Sequence, residues 1–201
     1  MNYGLFELWF PGYFFQKTLC TVYYMYLSEC MLLLIISFLV IAVYTAAVCI
    51  KAKGVPYSIS ATYYTLDHKL IFGASMALTA MFLFPVIWEM STTFTMRLLA
   101  IAACIGLIGV GLAPDFKDTW INRIHCGSAA LTLLSSQLWV GCTSFWWVLI
   151  PVWLAFIVYT VIDMSKRLSG NIWQDFVSTK PMFWCEIAAL STTFGACGLA
   201  L

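Results

Sequence analysis

The chain has 201 residues, of which 63% are apolar and 9% charged, with a formal net charge of +1 and a mean hydropathy of +0.92. An average soluble domain carries about 25% charged residues and must keep a wettable surface, so a soluble globular enzyme and a disordered chain are both excluded. Sparse basic residues and near-neutral charge leave no electrostatic footprint for nucleic acid.

Residues 1–28 come first. Residues 1–16 carry no Lys or Arg, and Pro11-Gly12 breaks the apolar stretch. The segment lacks the layout of a cleaved leader and is expected to be retained. Leu5–Phe15 is dense in Phe, Trp and Tyr, with Glu7, Gln16 and Lys17 as polar points. It reads as an interfacial helix on the outer leaflet; the alternative is a partly buried arm. The stretch from Leu19 to Leu27 is suited to extend the first span outward.

A helix needs roughly 20 apolar residues to cross the hydrocarbon core. Six such runs follow, at about 31–50, 70–88, 98–113, 126–142, 145–162 and 182–201. The first ends at Lys51 and Lys53, then Gly54 and Pro56. The second lies between Lys69 and Glu89. The third opens after Arg97 and closes at Pro114-Asp115. The third and fourth are slightly short, which implies little tilt or a thinned bilayer. Residues 141–144 allow only a tight hairpin, so spans four and five are expected to be antiparallel neighbours. Tyr57, Tyr63, Tyr64, Trp88, Trp120, Trp146, Trp147, Trp173 and Trp184 sit at run ends, as interfacial aromatic belts do. The predicted fold is all-α: a polytopic membrane bundle of six transmembrane helices with an N-terminal interfacial segment.

Six spans place residues 51–69, 114–125 and 163–181 on one face. These hold Lys51, Lys53, Lys69, Lys117, Arg123, Lys166, Arg167 and Lys180, leaving only Lys17 and Arg97 for the other. The positive-inside rule makes those loops cytoplasmic and both termini external, in the cell (inner) membrane. Of the eight cysteines, none form a Cys-x-x-Cys pair, and most lie in apolar runs as small packing residues. Cys20 and Cys30 are a possible pair if their segment faces an oxidising compartment.

Polar groups within or beside a bilayer are the default functional candidates. Ser58, Ser60, Tyr63 and Tyr64 form a hydroxyl-rich stretch before span two. It reads as a shelf for a polar headgroup, or as a turn whose hydroxyls satisfy its own backbone. Asp67-His68-Lys69 reads as a solvated collar. Asp115 and His125 bracket the loop between spans three and four, at one depth. They read as a pair that fixes a tautomer, binds a ligand or relays a proton, or as an interfacial His capped by a loop carboxylate. Glu186 lies more than one turn inside span six, behind Lys180-Pro181. It needs a partner, with His125, Lys180 and Tyr63 as candidates, or else takes up a proton; the alternative is a Glu stabilised by the helix N-terminus. Glu89 and Arg97 read as a surface ion pair or as snorkelling. Ser136 and Gln137 read as cross-helix hydrogen bonders.

Ser58, Ser60, Tyr63, Tyr64, Asp115, His125 and Glu186 all map to the cytoplasmic edge. That convergence predicts binding of a membrane lipid, small amphiphile or partner there, without a cofactor. Two alternatives stand beside it. One is a membrane-embedded enzyme acting on lipid headgroups, with His125 as base and Asp115 as its orienter. The other is an oligomeric transporter or membrane-permeabilising protein, consistent with a homo-oligomer. Two His exclude a three-His metal site within one chain. Neither a Gly-x-Ser-x-Gly elbow nor a phosphate loop is present.

Tyr57-Ser58-Ile59-Ser60 through Phe72, with Gly111–Phe116 and His125, resembles the layout of six-span bacterial membrane proteins of unknown function, of DRAM/Sfk-like type. A Ser-Ile-Ser loop precedes span two, and a His opens span four after a Pro-containing turn. The chain departs from the DRAM layout in one respect: there the loop after span one lies outside the cytosol, whereas the lysines here place it inside. VPYSISATYY (55–64) and TKPMFWCEIAAL (179–190) are similar to stretches of small integral membrane proteins of bacteria and their prophages. That resemblance implies a six-span body and brings no activity with it.

Overall fold

The computed structural model describes residues 10–64, 70–113, 119–167 and 171–201; for residues 10–26 and Tyr64 it describes the backbone alone. The described residues form seven α-helices and no strand. They are α1 (Phe10–Lys51), α2 (Leu70–Glu89), α3 (Phe94–Leu112), α4 (Thr119–Gly141), α5 (Leu149–Ser165), α6 (Ile172–Ser178) and α7 (Pro181–Ala200), with 3-10 turns at Ser60–Tyr64 and Trp146–Val148. Five helical stretches are long and apolar enough to cross a membrane: Leu27–Lys51, Leu70–Glu89, Phe94–Leu112, Trp146–Ser165 and Pro181–Ala200. The chain is an integral membrane protein on that ground.

The ends of these helices follow local chemistry. α1 closes in a Schellman arrangement: Gly54 N donates to Cys49 O at 3.0 Å and Lys53 N to Ile50 O at 3.1 Å, with Lys53 left-handed at φ 51°. Thr93 caps α3 by accepting from Met96 N at 3.2 Å. α3 and α4 reach further than the apolar runs suggest, because polar first turns lengthen both. α1 runs from Phe10 into the first span without a break, so residues 19–27 do extend that span. Residues 1–9 lie outside the described residues. Cys20 and Cys30 are ten residues apart on this one helix, about 15 Å along its axis. A disulfide needs Cα atoms about 4.4–6.8 Å apart, so pairing within the chain is ruled out.

Helices α1 to α4 pack in series, and α7 closes the circuit by lying against both α4 and α1. α5 stands outside this ring, chiefly against α7 and α6. The expected α4–α5 pairing is correspondingly thin. The two helices follow one another through the turn at 141–148, and Trp153 Nε1 donates to Gln137 Oε1 at 3.0 Å.

Close approach in the ring depends on small residues. A Cβ on Gly106 would stand 2.4 Å from Thr132 Oγ1 and 2.8 Å from Ser128 O, so α3 and α4 meet backbone to backbone there. Gly73 and Gly111 do the same for α2 and α3. Cross-contacts fix the helix directions. The start of α2 meets the end of α3 at Gly73–Gly111, and the start of α4 meets the end of α3 at His125–Ala113. At the other end, Trp139 Nε1 donates to Ser91 Oγ at 2.9 Å, joining the end of α4 to the end of α2.

α4 is inverted in character. Its polar residues His125, Ser135 and Ser136 are buried, and its outward face carries Leu131, Leu134 and Leu138. Gln137 is the hub of the seam. It donates to Ala189 O at 3.2 Å, and its Oε1 accepts from Thr192 Oγ1 at 2.8 Å as well as from Trp153, tying α4, α5 and α7 together. Arg97 lies over the Trp88 ring at 5.1 Å, with Nε donating to Ser91 O. Trp120, Trp146, Trp147 and Trp173 are exposed, as a belt requires.

Candidate functional site: a chamber with one polar end

The first turn of a helix has backbone N–H groups without partners in that helix. Pro181 removes one of these at α7, and a strap, residues 55–59, serves that of Phe183. Lys180 Nζ donates to Val55 O, Phe183 N donates to Tyr57 O at 3.1 Å, and Ile59 N donates to Glu186 Oε2 at 2.5 Å. Alternate strap residues 55, 57 and 59 therefore match helix positions 180, 183 and 186.

Beyond the strap the chain turns into the 3-10 segment. Ser58 Oγ accepts from Ala61 N at 2.9 Å and lies 3.2 Å from Ser60 Oγ. Thr62 Oγ1 donates to Ile59 O and lies 2.5 Å from Tyr44 OH. Ser60 also hydrogen-bonds the Glu186 carboxylate. Ser58 is thus a turn cap, whereas Ser60 and Glu186 form a joint polar surface. Tyr63 packs edge-on against Phe72 with ring centroids 6.5 Å apart. Tyr64 contributes backbone to the turn.

His125 is buried and its Nδ1 lies 2.9 Å from Ala113 O, with a second hydrogen bond to the Val110 carbonyl. It caps the C-terminal end of α3, where carbonyls lack helical partners. Asp115, the expected orienter of His125, lies outside the described residues, as does the 67–69 collar. Glu186 meets none of the three partners considered from sequence. His125 is committed to α3, Lys180 to Val55 and Tyr63 to Phe72.

Ser60 and Glu186 line a partly open chamber of about 120 Å³ between α1, α2, α3, α4, α7 and the strap. α2 lines it from Phe72 to Ile87, a rise of about 22 Å, so the chamber is long and narrow. Its wall is apolar except for hydroxyls and the Ser60–Glu186 end. Thr132, Ser136 and Thr193 are wall residues whose hydroxyls donate to Ser128, Leu133 and Ala189 carbonyls of their own helices. That leaves Ser60 and Glu186 as the polar point able to orient an occupant. The sequence pattern gave no sign of the chamber itself, since its walls come from five separate helices. His125 is not part of the wall. Among the described residues, no cluster of three His, Cys, Asp or Glu stands ready to hold a metal ion. No protein-family model, curated protein or solved structure matches the chain.

Proposed function

We propose that this is a six-span protein of the cell (inner) membrane, and that it binds a single-chain amphiphile with the tail in the chamber and the head at Ser60 and Glu186. The observation that carries the reading is a long apolar chamber closed at one end by a hydroxyl and a carboxylate. The size of the chamber narrows the occupant. An engineered cavity of about 150 Å³ accommodates benzene, so about 120 Å³ suits one short alkyl segment and is too small for a two-tailed phospholipid.

The sixth span is α4. Its 23 residues are long enough, it runs the length of α3, and its inward polar face accounts for its lower overall apolarity. Lys51 and Lys53 precede the strap in sequence and Lys180 reaches it at Val55 O, which supports a cytoplasmic position for the strap and external termini.

The test is mass spectrometry of small molecules that copurify with the protein in mild detergent. We expect a single-chain amphiphile bound to the wild type and lost from Ala103→Phe, which fills the chamber. Equal small-molecule content in the two proteins overturns the reading.

A further inference from the structure

We propose that the occupant is cationic: an ammonium-type head held at Glu186, with an apolar tail of about six carbons in the chamber. This rests on the amphiphile-binding reading above and adds the charge of the ligand. A carboxylate is an acceptor only, with about four lone-pair directions. The donors that reach Glu186 from the protein are Ile59 N–H and the Ser60 hydroxyl, both neutral. Among the described residues, no Lys, Arg or His lies within ion-pair distance of it, and Arg167–Asp163 at 2.8 Å is a surface pair elsewhere. Lys180 is the cation nearest in sequence, and its ammonium is spent on Val55 O.

A carboxylate held against an apolar wall either takes up a proton or gains a counter-charge to offset its desolvation. An occupant with a cationic head supplies that charge and also brings N–H or N–CH donors toward the remaining lone pairs. A carboxylate-headed occupant would set two negative charges side by side in a low-dielectric space. A neutral alcohol would satisfy the lone pairs and leave the charge uncompensated.

The experiment uses three probes with one tail: hexylammonium, hexan-1-ol and hexanoate. Binding is followed by Trp fluorescence of the full chain in lipid nanodiscs, against empty nanodiscs. We expect hexylammonium to bind at least about tenfold tighter than hexan-1-ol, and hexanoate not to bind measurably. Moderate salt should weaken the preference in part, because the pair is only partly shielded from solvent. In Glu186→Gln, hexylammonium should fall to within about threefold of hexan-1-ol. Equal binding of the ammonium and the alcohol to the wild type, or a preference for hexanoate, overturns the cationic assignment while leaving amphiphile binding intact. Failure of all three probes overturns the amphiphile reading and this inference with it. The wild-type comparison decides the matter even if the Gln variant does not fold.

Discussion

The amide of Ile59 and the carboxylate of Glu186 are 127 residues apart in sequence and 2.5 Å apart in space. One carboxylate therefore anchors the strap and also faces the chamber. Glu186→Ala removes the acceptor for Ile59 N–H and Ser60, at a cost of about 1–3 kcal/mol. Amide exchange over 55–61 is expected to rise at least about tenfold, with α2 and α3 unchanged. Glu186→Gln keeps one carbonyl oxygen and should show a smaller rise. Unaltered exchange in the Ala variant would show that the strap is held by Lys180 and Phe183 alone.

Gln137 gathers donors from two other helices onto one side-chain oxygen. Gln137→Leu leaves the Trp153 indole N–H without its partner and removes the bonds to Thr192 and Ala189, and should destabilise the protein by about 1–3 kcal/mol. Thermal unfolding in detergent measures this. A Gln137→Glu variant retains the acceptor and should recover part of the loss. A midpoint unchanged by Gln137→Leu contradicts the hub role.

Gly106 and Gly127 lie in neighbouring helices but face different surroundings. A Cβ on Gly106 meets the α4 backbone at 2.8 Å, whereas one on Gly127 meets nothing within 4 Å. Gly106→Ala should therefore cost about 1–3 kcal/mol through forced separation of α3 and α4. Gly127→Ala should be neutral or gain up to about 1 kcal/mol from helix propensity. Equal midpoints for the two variants would place the packing seam elsewhere.

Lys53 holds a left-handed conformation that costs an L-residue about 1–2 kcal/mol. Lys53→Gly relieves that strain and should raise the unfolding midpoint, with a gain of about 0.5–1 kcal/mol after the added freedom of the unfolded chain is counted. A lowered midpoint would mean that the lysine side chain contributes more than its backbone costs.

The spans were legible wherever an apolar run meets a charge. Leu70–Glu89 lies behind Lys69 and ends at Glu89, and Pro181–Ala200 opens with a proline suited to a first turn. The starts of α3 and α4 were less legible, because Thr93, Thr119, Asn122 and Arg123 are polar residues absorbed into caps and first turns. Ser60 and Glu186 were each visible as polar points at one membrane edge. The anchoring of Ile59 to Glu186 was not, because it depends on a backbone amide that no side-chain pattern reports. His125 illustrates the same blind spot. A search among side chains finds Asp115, which lies outside the described residues, and overlooks the carbonyls of Ala113 and Val110 that the ring meets.

The ring is closed by α7, which is synthesised after every other wall of the chamber. Until that helix inserts, α1 and α4 border an open seam and Gln137 lacks both Ala189 and Thr192. The chamber and the bundle's polar stitching are therefore completed in a single late step of biogenesis. A ribosome stalled before residue 181 would hold a membrane-inserted intermediate with an unlined slot, exposed to lipid and to quality-control proteases.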